Sequence, residues 1–360
     1  MDQNLWTTAP DGSVLDQTGK VILFSAQRFI DDICLGNCCF ICGAQPGTKE
    51  FNNEHVLPLW LLRRYDLFAR QITLPNGVGV RYDRYTVPCC KECNSLMGDE
   101  IETPISEVVK GGLRAINDFA ANGNLLKLFV WANLIYLKTH LKDKAVRFHL
   151  DARNGTQNIA DEYDWADLHH VHCIVRCFYN ECLVEKSAVG SFLTAPAITT
   201  GPIEHFDYCD LYLAQSMLLR LDDAAMFFVF NDSGAAMNYF WQHVERITGH
   251  LSPIQCREIM TELAWLNLRL KNRPTFQTEC DLEGERCRTF AVRPEAELLN
   301  LDLRLRGKLL RKALQDIPSG IEFQGCTREA AVAAIDAGTM TFLFDEDGKF
   351  IENSMVPKMT

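Results

Sequence analysis

Apolar and polar positions change period several times along this chain. After the turn signal Pro10-Asp11-Gly12, the apolar run from Val21 to Phe24 predicts a strand. Phe51 to Leu57 reads as extended and ends at Pro58. From Leu59 to Arg70 the spacing becomes helical, with Leu61, Leu62, Tyr65 and Phe68 on one side and arginines on the other. Pro75-Asn76-Gly77 predicts a hairpin between Gln71–Leu74 and Val78–Thr86. A helix is expected from Asn94 through Leu96, Met97 and Ile101, stopping near Thr103-Pro104, where the next one starts. Residues 105–142 read as helices broken at Gly111-Gly112 and Asn122-Gly123-Asn124.

Beyond this point the pattern shifts. Val171–Val184 and Ala225–Phe230 are rich in β-branched and aromatic residues and predict strands, the second followed by the turn Asn231-Asp232-Ser233-Gly234. Helices are expected over Ala235–Gly249 and Pro253–Lys271, a basic amphipathic helix over Glu297–Gln315, and a last hairpin over Thr339–Ile351 around Asp347-Gly348. No repeat of about 20–50 residues is visible. The expected fold class is α+β: a small module with an N-terminal extension over residues 1–112, its core at about 36–103, and a larger mixed α+β domain over 113–360.

Composition supports a folded chain. At 360 residues, 47% hydrophobic and 23% charged, it is long and apolar enough for two or three cores. The most apolar stretch, Leu125–Leu141, is interrupted by Lys127, Asn133 and Lys138. A membrane span needs about 20 largely apolar residues, so this stretch predicts a buried helix, with no membrane partner. The N-terminus has no secretory pattern, and the expected location is cytoplasmic. Fifteen cysteines, an odd number in a large chain, point to free thiols in a reducing compartment. Cys173, Cys177, Cys182, Cys209, Cys256, Cys280, Cys287 and Cys326 are read as packing residues. His169, His170 and His172 would alternate on a strand with no acidic partner, and no metal site is expected there.

One stretch carries chemistry. Cys39-x-x-Cys42 and Cys90-x-x-Cys93 bracket Glu54-His55-Val56-Leu57-Pro58, and Asn94 follows the last cysteine. Each C-x-x-C pair puts two thiolates on one knuckle, and four sulfurs close a tetrahedral zinc shell. Cys38 and Cys89 duplicate their neighbours; Cys39 and Cys90 give matched two-residue gaps. A carboxylate and an imidazole side by side are not needed for that zinc. The net charge of −11 opposes binding to a polyanion, but basic residues gather near the motif: Arg63, Arg64, Arg70, Arg81, Arg84 and Lys91, against Asp66 and Asp83. A second basic run is Arg304, Arg306, Lys308, Arg311 and Lys312.

Together, Cys39-x-x-Cys42, Glu54-His55-Val56-Leu57-Pro58 and Cys90-x-x-Cys93-Asn94, with Val87-Pro88 and Gly98, resemble an HNH endonuclease of the ββα-metal type. The likeness covers roughly residues 36–103 and is to the cysteine-bearing branch, similar to McrA-like restriction enzymes and phage junction-resolving endonucleases. It implies a zinc-stapled ββα-metal module in which His55 is the general base. Glu54 and Asn94 would hold one catalytic Mg²⁺ or Mn²⁺, and the products would be a 3′-hydroxyl and a 5′-phosphate. Cys39, Cys42, Cys90 and Cys93 would hold structural Zn²⁺, and Arg63, Arg64, Arg81, Arg84 and Lys91 would meet DNA. Two positions depart from the pattern. Tyr85 stands where many members have an asparagine, and Met97 where many have a charge; Asp99, Glu100 or Glu102 could then reach the metal instead. Residues 113–360 carry no motif and are expected to regulate the module, through a protein partner or a homo-oligomer, with a bacterial anti-phage defence effector as one form. The alternatives are a zinc-stapled nucleic-acid or partner-binding module without catalysis, and an endonuclease of RNA.

Overall fold

The computed structural model describes residues 6–74, 76–149, 151–200, 204–315 and 327–352; Pro75 of the expected hairpin and Cys326 lie outside them. The protein is mixed α+β. It divides into two compact units, each built from separated stretches of chain. One takes residues up to Glu107, Leu126–Ala188 and Phe276–Ala291; the other takes Val108–Leu125, Val189–Thr275 and the residues from Val292 on. Two stretches beyond the expected boundary at 112/113 thus belong to the first unit.

In the first unit, β1 (Phe51–His55) is linked through α1 (Leu59–Arg64) and a small hairpin, Gln71–Thr73 with Gly79–Arg81, to β2 (Thr86–Cys90). β1 and β2 pair antiparallel, from Phe51 opposite Cys90 to His55 opposite Thr86. β2 runs straight into α2 (Lys91–Met97). α1 is shorter than its apolar spacing predicts, because Asp66 sits at a φ of 50°, which a right-handed helix cannot contain. The apolar stretch expected to be a buried helix is α3 (Leu125–Asp143), and its side chains are buried nearly all the way round.

The strand expected over Val171–Val184 is mostly helical: α4 (His169–Val175) and a further turn at Cys177–Asn180, with only Leu183–Val184 extended. Val171, Ile174 and Val175 are β-branched, yet they recur at helical spacing and all three are buried. Burial of a helical face outweighs a propensity difference that is worth only tenths of a kcal/mol per residue.

The second unit is built on a four-stranded antiparallel sheet of β3 (Ser191–Pro196), β4 (Phe206–Leu211), β5 (Ser216–Leu221) and β6 (Ala224–Val229), in the order β4-β5-β6-β3. Every residue of β5 and β6 is buried, so both faces are covered and polar alternation is lost. This is why β5 escapes a search for alternation, while the wholly apolar and aromatic β6 is found. α5 (Pro253–Leu268) has Pro253 in its first turn, and Ser252 and Gln255 form a reciprocal capping box. α6 (Leu303–Ala313) starts later than expected, where Asp302 caps the amide of Arg304. The last expected hairpin is a tight turn in which Phe344 bridges Phe350. Among the described residues no helix is long and apolar enough to cross a membrane.

Candidate metal centre and the Glu54–His55 strand end

The ends of β1 and β2 determine the site. Cys90 closes β2 and Cys93 lies in the first turn of α2, so strand and helix deliver one sulfur each; Cys39 and Cys42 come from the loop ahead of β1. The four sulfurs lie within 4.8 Å of one another, and Cys42 and Cys90 are 3.7 Å apart. Four sulfurs held at about 2.3 Å from a tetrahedral zinc are about 3.8 Å apart. The set could therefore hold a metal ion such as zinc, and among the described residues it is the only such cluster. Cys89 is no member of it, although its sulfur is 3.8 Å from that of Cys39. Hydrogen bonds from Cys42, Cys89 and Cys93 hold the Cys39 thiol far below its usual value. In turn Cys42 is pushed up to about 12, first by its bond to Cys39. Metal binding would release the thiol protons that remain.

What holds the knuckle is a feature that sequence reading missed. Arg176, at the end of α4, is fully buried and donates to the carbonyls of Ile41 at 2.5 Å, Ile22 at 3.0 Å and Val21. One turn earlier, His172 meets the Phe40 carbonyl at 2.8 Å. Burial, with the nearby Arg176 charge, pushes His172 well below its ordinary value. The ring is neutral, so Nε2 is the protonated nitrogen that donates. His169 reaches the Phe24 carbonyl at 2.8 Å, and His170 stacks on Phe276. The histidines thus hold backbone and pack rings. The one signal available was the four-residue gap between His172 and Arg176, which puts both on one helical face.

Glu54 and His55 are neighbours with different surroundings, because successive strand residues face opposite ways. Glu54 is buried, and its Oε1 accepts a hydrogen bond from Lys138 of α3 at 2.7 Å. Lys138 Nζ also lies 3.5 Å from Glu102, on the turn that continues α2. Burial works against the charge on Lys138, yet Glu54 and Glu102 together raise its value. Burial raises the carboxyl of Glu102, with Lys138 opposing. His55 is half-buried, and burial lowers its value below that of a free imidazole. Asn94 is half-buried inside α2; the cap position belongs to Cys90.

At the expected ligand pair Glu54 and Asn94, one carboxylate oxygen of Glu54, Oε1, is already taken by Lys138. The Lys138 ammonium is shared with Glu102, and a divalent cation at Glu54 would compete with it. The two departures from the HNH pattern are core residues. Tyr85 is buried with its hydroxyl 3.4 Å from the Thr139 carbonyl, and its own carbonyl accepts from Val56 N at 2.9 Å, just past His55. Met97 is fully buried. Among the expected DNA contacts, Arg63, Arg64 and Arg84 are exposed, with Arg64 over the Tyr65 ring. Arg81 pairs with Asp83 at 2.6 Å, and Lys91 with Glu50 at 3.3 Å. In the second basic run, Arg306 is buried against Glu258 and Glu262, and Arg311 pairs with Asp336.

Compared with protein-family models, with curated proteins and with solved structures, the chain finds no match.

Proposed function

We propose that residues 36–103 form an HNH-type endonuclease acting on DNA, with His55 as general base. The observation that carries this reading is the half-buried His55 at the end of β1, on a hairpin that runs into α2 and is joined to it by the four thiols. Its lowered proton affinity keeps the imidazole neutral at pH 7, so it can take the proton from a water attacking phosphorus. One Mg²⁺ or Mn²⁺ would be held by Glu54 and Asn94, at the Glu54 oxygen that Lys138 leaves open or in place of that ammonium, and would supply stabilisation of the charge on the leaving oxygen. The exposed Arg63, Arg64 and Arg84 are the side chains suited to meet phosphates. In the same reading the second unit regulates the module or binds a partner, as an anti-phage defence effector would. A protein that stays alone when expressed with its genomic neighbours and cuts plasmid constitutively would remove the regulatory part.

A second reading, a zinc-stapled nucleic-acid or partner-binding module without catalysis, is favoured by the Lys138–Glu54 pair. One assay separates the two. Supercoiled plasmid and single-stranded RNA are incubated with the protein in Mg²⁺, Mn²⁺ or chelator, beside His55→Ala. Cutting of plasmid that falls at least about 100-fold in the alanine variant is expected for a general base. Cutting that survives in His55→Ala removes His55 from the reaction. Cutting of RNA alone makes the enzyme a ribonuclease, and no cutting of either leaves the binding module.

A further inference from the structure

A second group of sulfurs lies in the first unit, on the hairpin of Thr275–Asp281 and Arg286–Val292. Thr278 faces Thr289 across this hairpin, with hydroxyl oxygens 2.9 Å apart. Two residues further on, and hence on the same face, Cys280 faces Cys287 with sulfurs 3.0 Å apart. This is closer than the 3.7 Å between Cys42 and Cys90 in the metal centre. Directly opposed residues of an antiparallel pair have Cα atoms about 4.5 or 5.5 Å apart. Both distances fall in the window of about 4.4–6.8 Å that a disulfide spans, so the strand spacing is compatible with joining the two sulfurs.

The surroundings give the pair access and a third thiol. Cys280 is half-buried, Cys287 is buried, and both line a cleft of about 1010 Å³. Its wall carries charges of both signs with carboxylates in excess, Asp16, Glu181, Glu279, Asp281 and Glu285 against Lys20, Arg286 and Arg288. Behind the pair lies Cys182, buried, its sulfur 3.5 Å from the Thr289 hydroxyl. A hydrogen bond with Cys287 lowers the Cys182 thiol below its usual value, against the effect of burial. These sulfurs do not converge closely enough to hold a metal: among the described residues only the four-cysteine cluster does so.

We propose that Cys280 and Cys287 form a reversible thiol–disulfide pair that exchanges with a low-molecular-weight disulfide in this cleft. The thiolate of Cys280, the more exposed sulfur, attacks one sulfur of the small disulfide and expels its other half as a thiol. Cys287, whose thiol is pushed up by its bonds with Cys182 and Cys280 and by burial, then attacks the Cys280 sulfur as its proton passes to the second half, which leaves as a thiol. Two cysteine thiols are oxidised, one small disulfide is reduced to two thiols, and the two cysteine protons end on them. Excess small thiol runs the sequence backwards. In a reducing compartment such a pair reports redox state and is not a permanent staple.

The test uses the full-length, metal-loaded protein with oxidised glutathione as the probe. The expected result is loss of two thiols per chain and a Cys280–Cys287 linked peptide after non-reducing digestion, with bound metal unchanged and full reversal by reduced glutathione. Cys182→Ser should behave in the same way. Cys287→Ser should stop at a glutathione adduct on Cys280. A link from Cys287 to Cys182 in the wild-type chain, thiol loss that tracks release of metal, or no link while circular dichroism reports a folded chain would each overturn the proposal.

Discussion

The two units solve the folding problem with different means. The second has a four-stranded sheet whose two inner strands are wholly buried, and an apolar cluster that runs from the sheet through Phe240, Ile259 and Leu263 to Leu309. Among the described residues the first has only sheets of two or three strands. Around the apolar core on α3 it adds polar closures: four thiols, a buried arginine on three carbonyls and a lysine between two carboxylates. Apolar burial tolerates imperfect fit, because it depends on area. Polar closure does not, because each unmade bond leaves a desolvated group. The first unit should therefore fail sharply at single residues, and the second gradually.

Metal removal should show the largest effect. Structural zinc contributes about 10 kcal/mol or more to folding in small zinc modules. A chelator, or Cys93→Ser, is expected to release hydrogen-exchange protection in the first unit while β3–β6 stay protected. Equal loss in both units would erase the contrast. Next comes Arg176→Ala, which strands the carbonyls of Ile41, Ile22 and Val21. A cost of about 3–5 kcal/mol is expected in urea unfolding, with weaker metal retention, since hydrogen bonds to a charged donor are worth about 1.5–3 kcal/mol each.

A third test concerns the second unit. Burial, with the like charge of Glu262 adding to it, pushes Glu258 up to about 7, and this outweighs Arg306 at 3.3 Å. Between the unfolded value near 4.5 and about 7, the folded unit keeps a proton that the unfolded chain has lost. This stabilisation is complete below pH 4.5 and is lost as pH rises through 7, a fall of about 3 kcal/mol. Thermal melts at pH 5 and pH 8 should differ accordingly, and Glu258→Gln should flatten the difference. Smallest of all is Lys91→Ala. Its pair with Glu50 is exposed on both sides, and the loss should stay below about 1 kcal/mol in the same unfolding assay. A larger loss would mean that Lys91 belongs to the closure of the first unit.

How much was legible depended on how far apart the partners lie. The C-x-x-C knuckles could be read because two residues of spacing fix their geometry locally, and β1, α2 and α3 followed from local pattern. The cap of α5 was legible in the same way, since Ser252, Pro253 and Gln255 meet within one turn. By contrast, Lys138 is 84 residues from Glu54, and its place inside an apolar helix looked like an interruption. Arg176 lies 135 residues from Ile41, in a stretch whose β-branched residues pointed to a strand. No local signal marks such a pairing.

The sequence by itself determined the residue chemistry: four cysteines spaced for one metal, a carboxylate and a histidine held between them, and enough apolar content for two cores. Only the tertiary structure decided what each group faces. It turned Glu54 inward to Lys138 and left His55 half-buried, it made a helix of the histidine-rich stretch, and it brought Cys280 to Cys287 beside Cys182. The reason is physical. Spacing fixes geometry within a turn or a knuckle, whereas the charge state and partner of a buried group depend on which distant segment displaces its water.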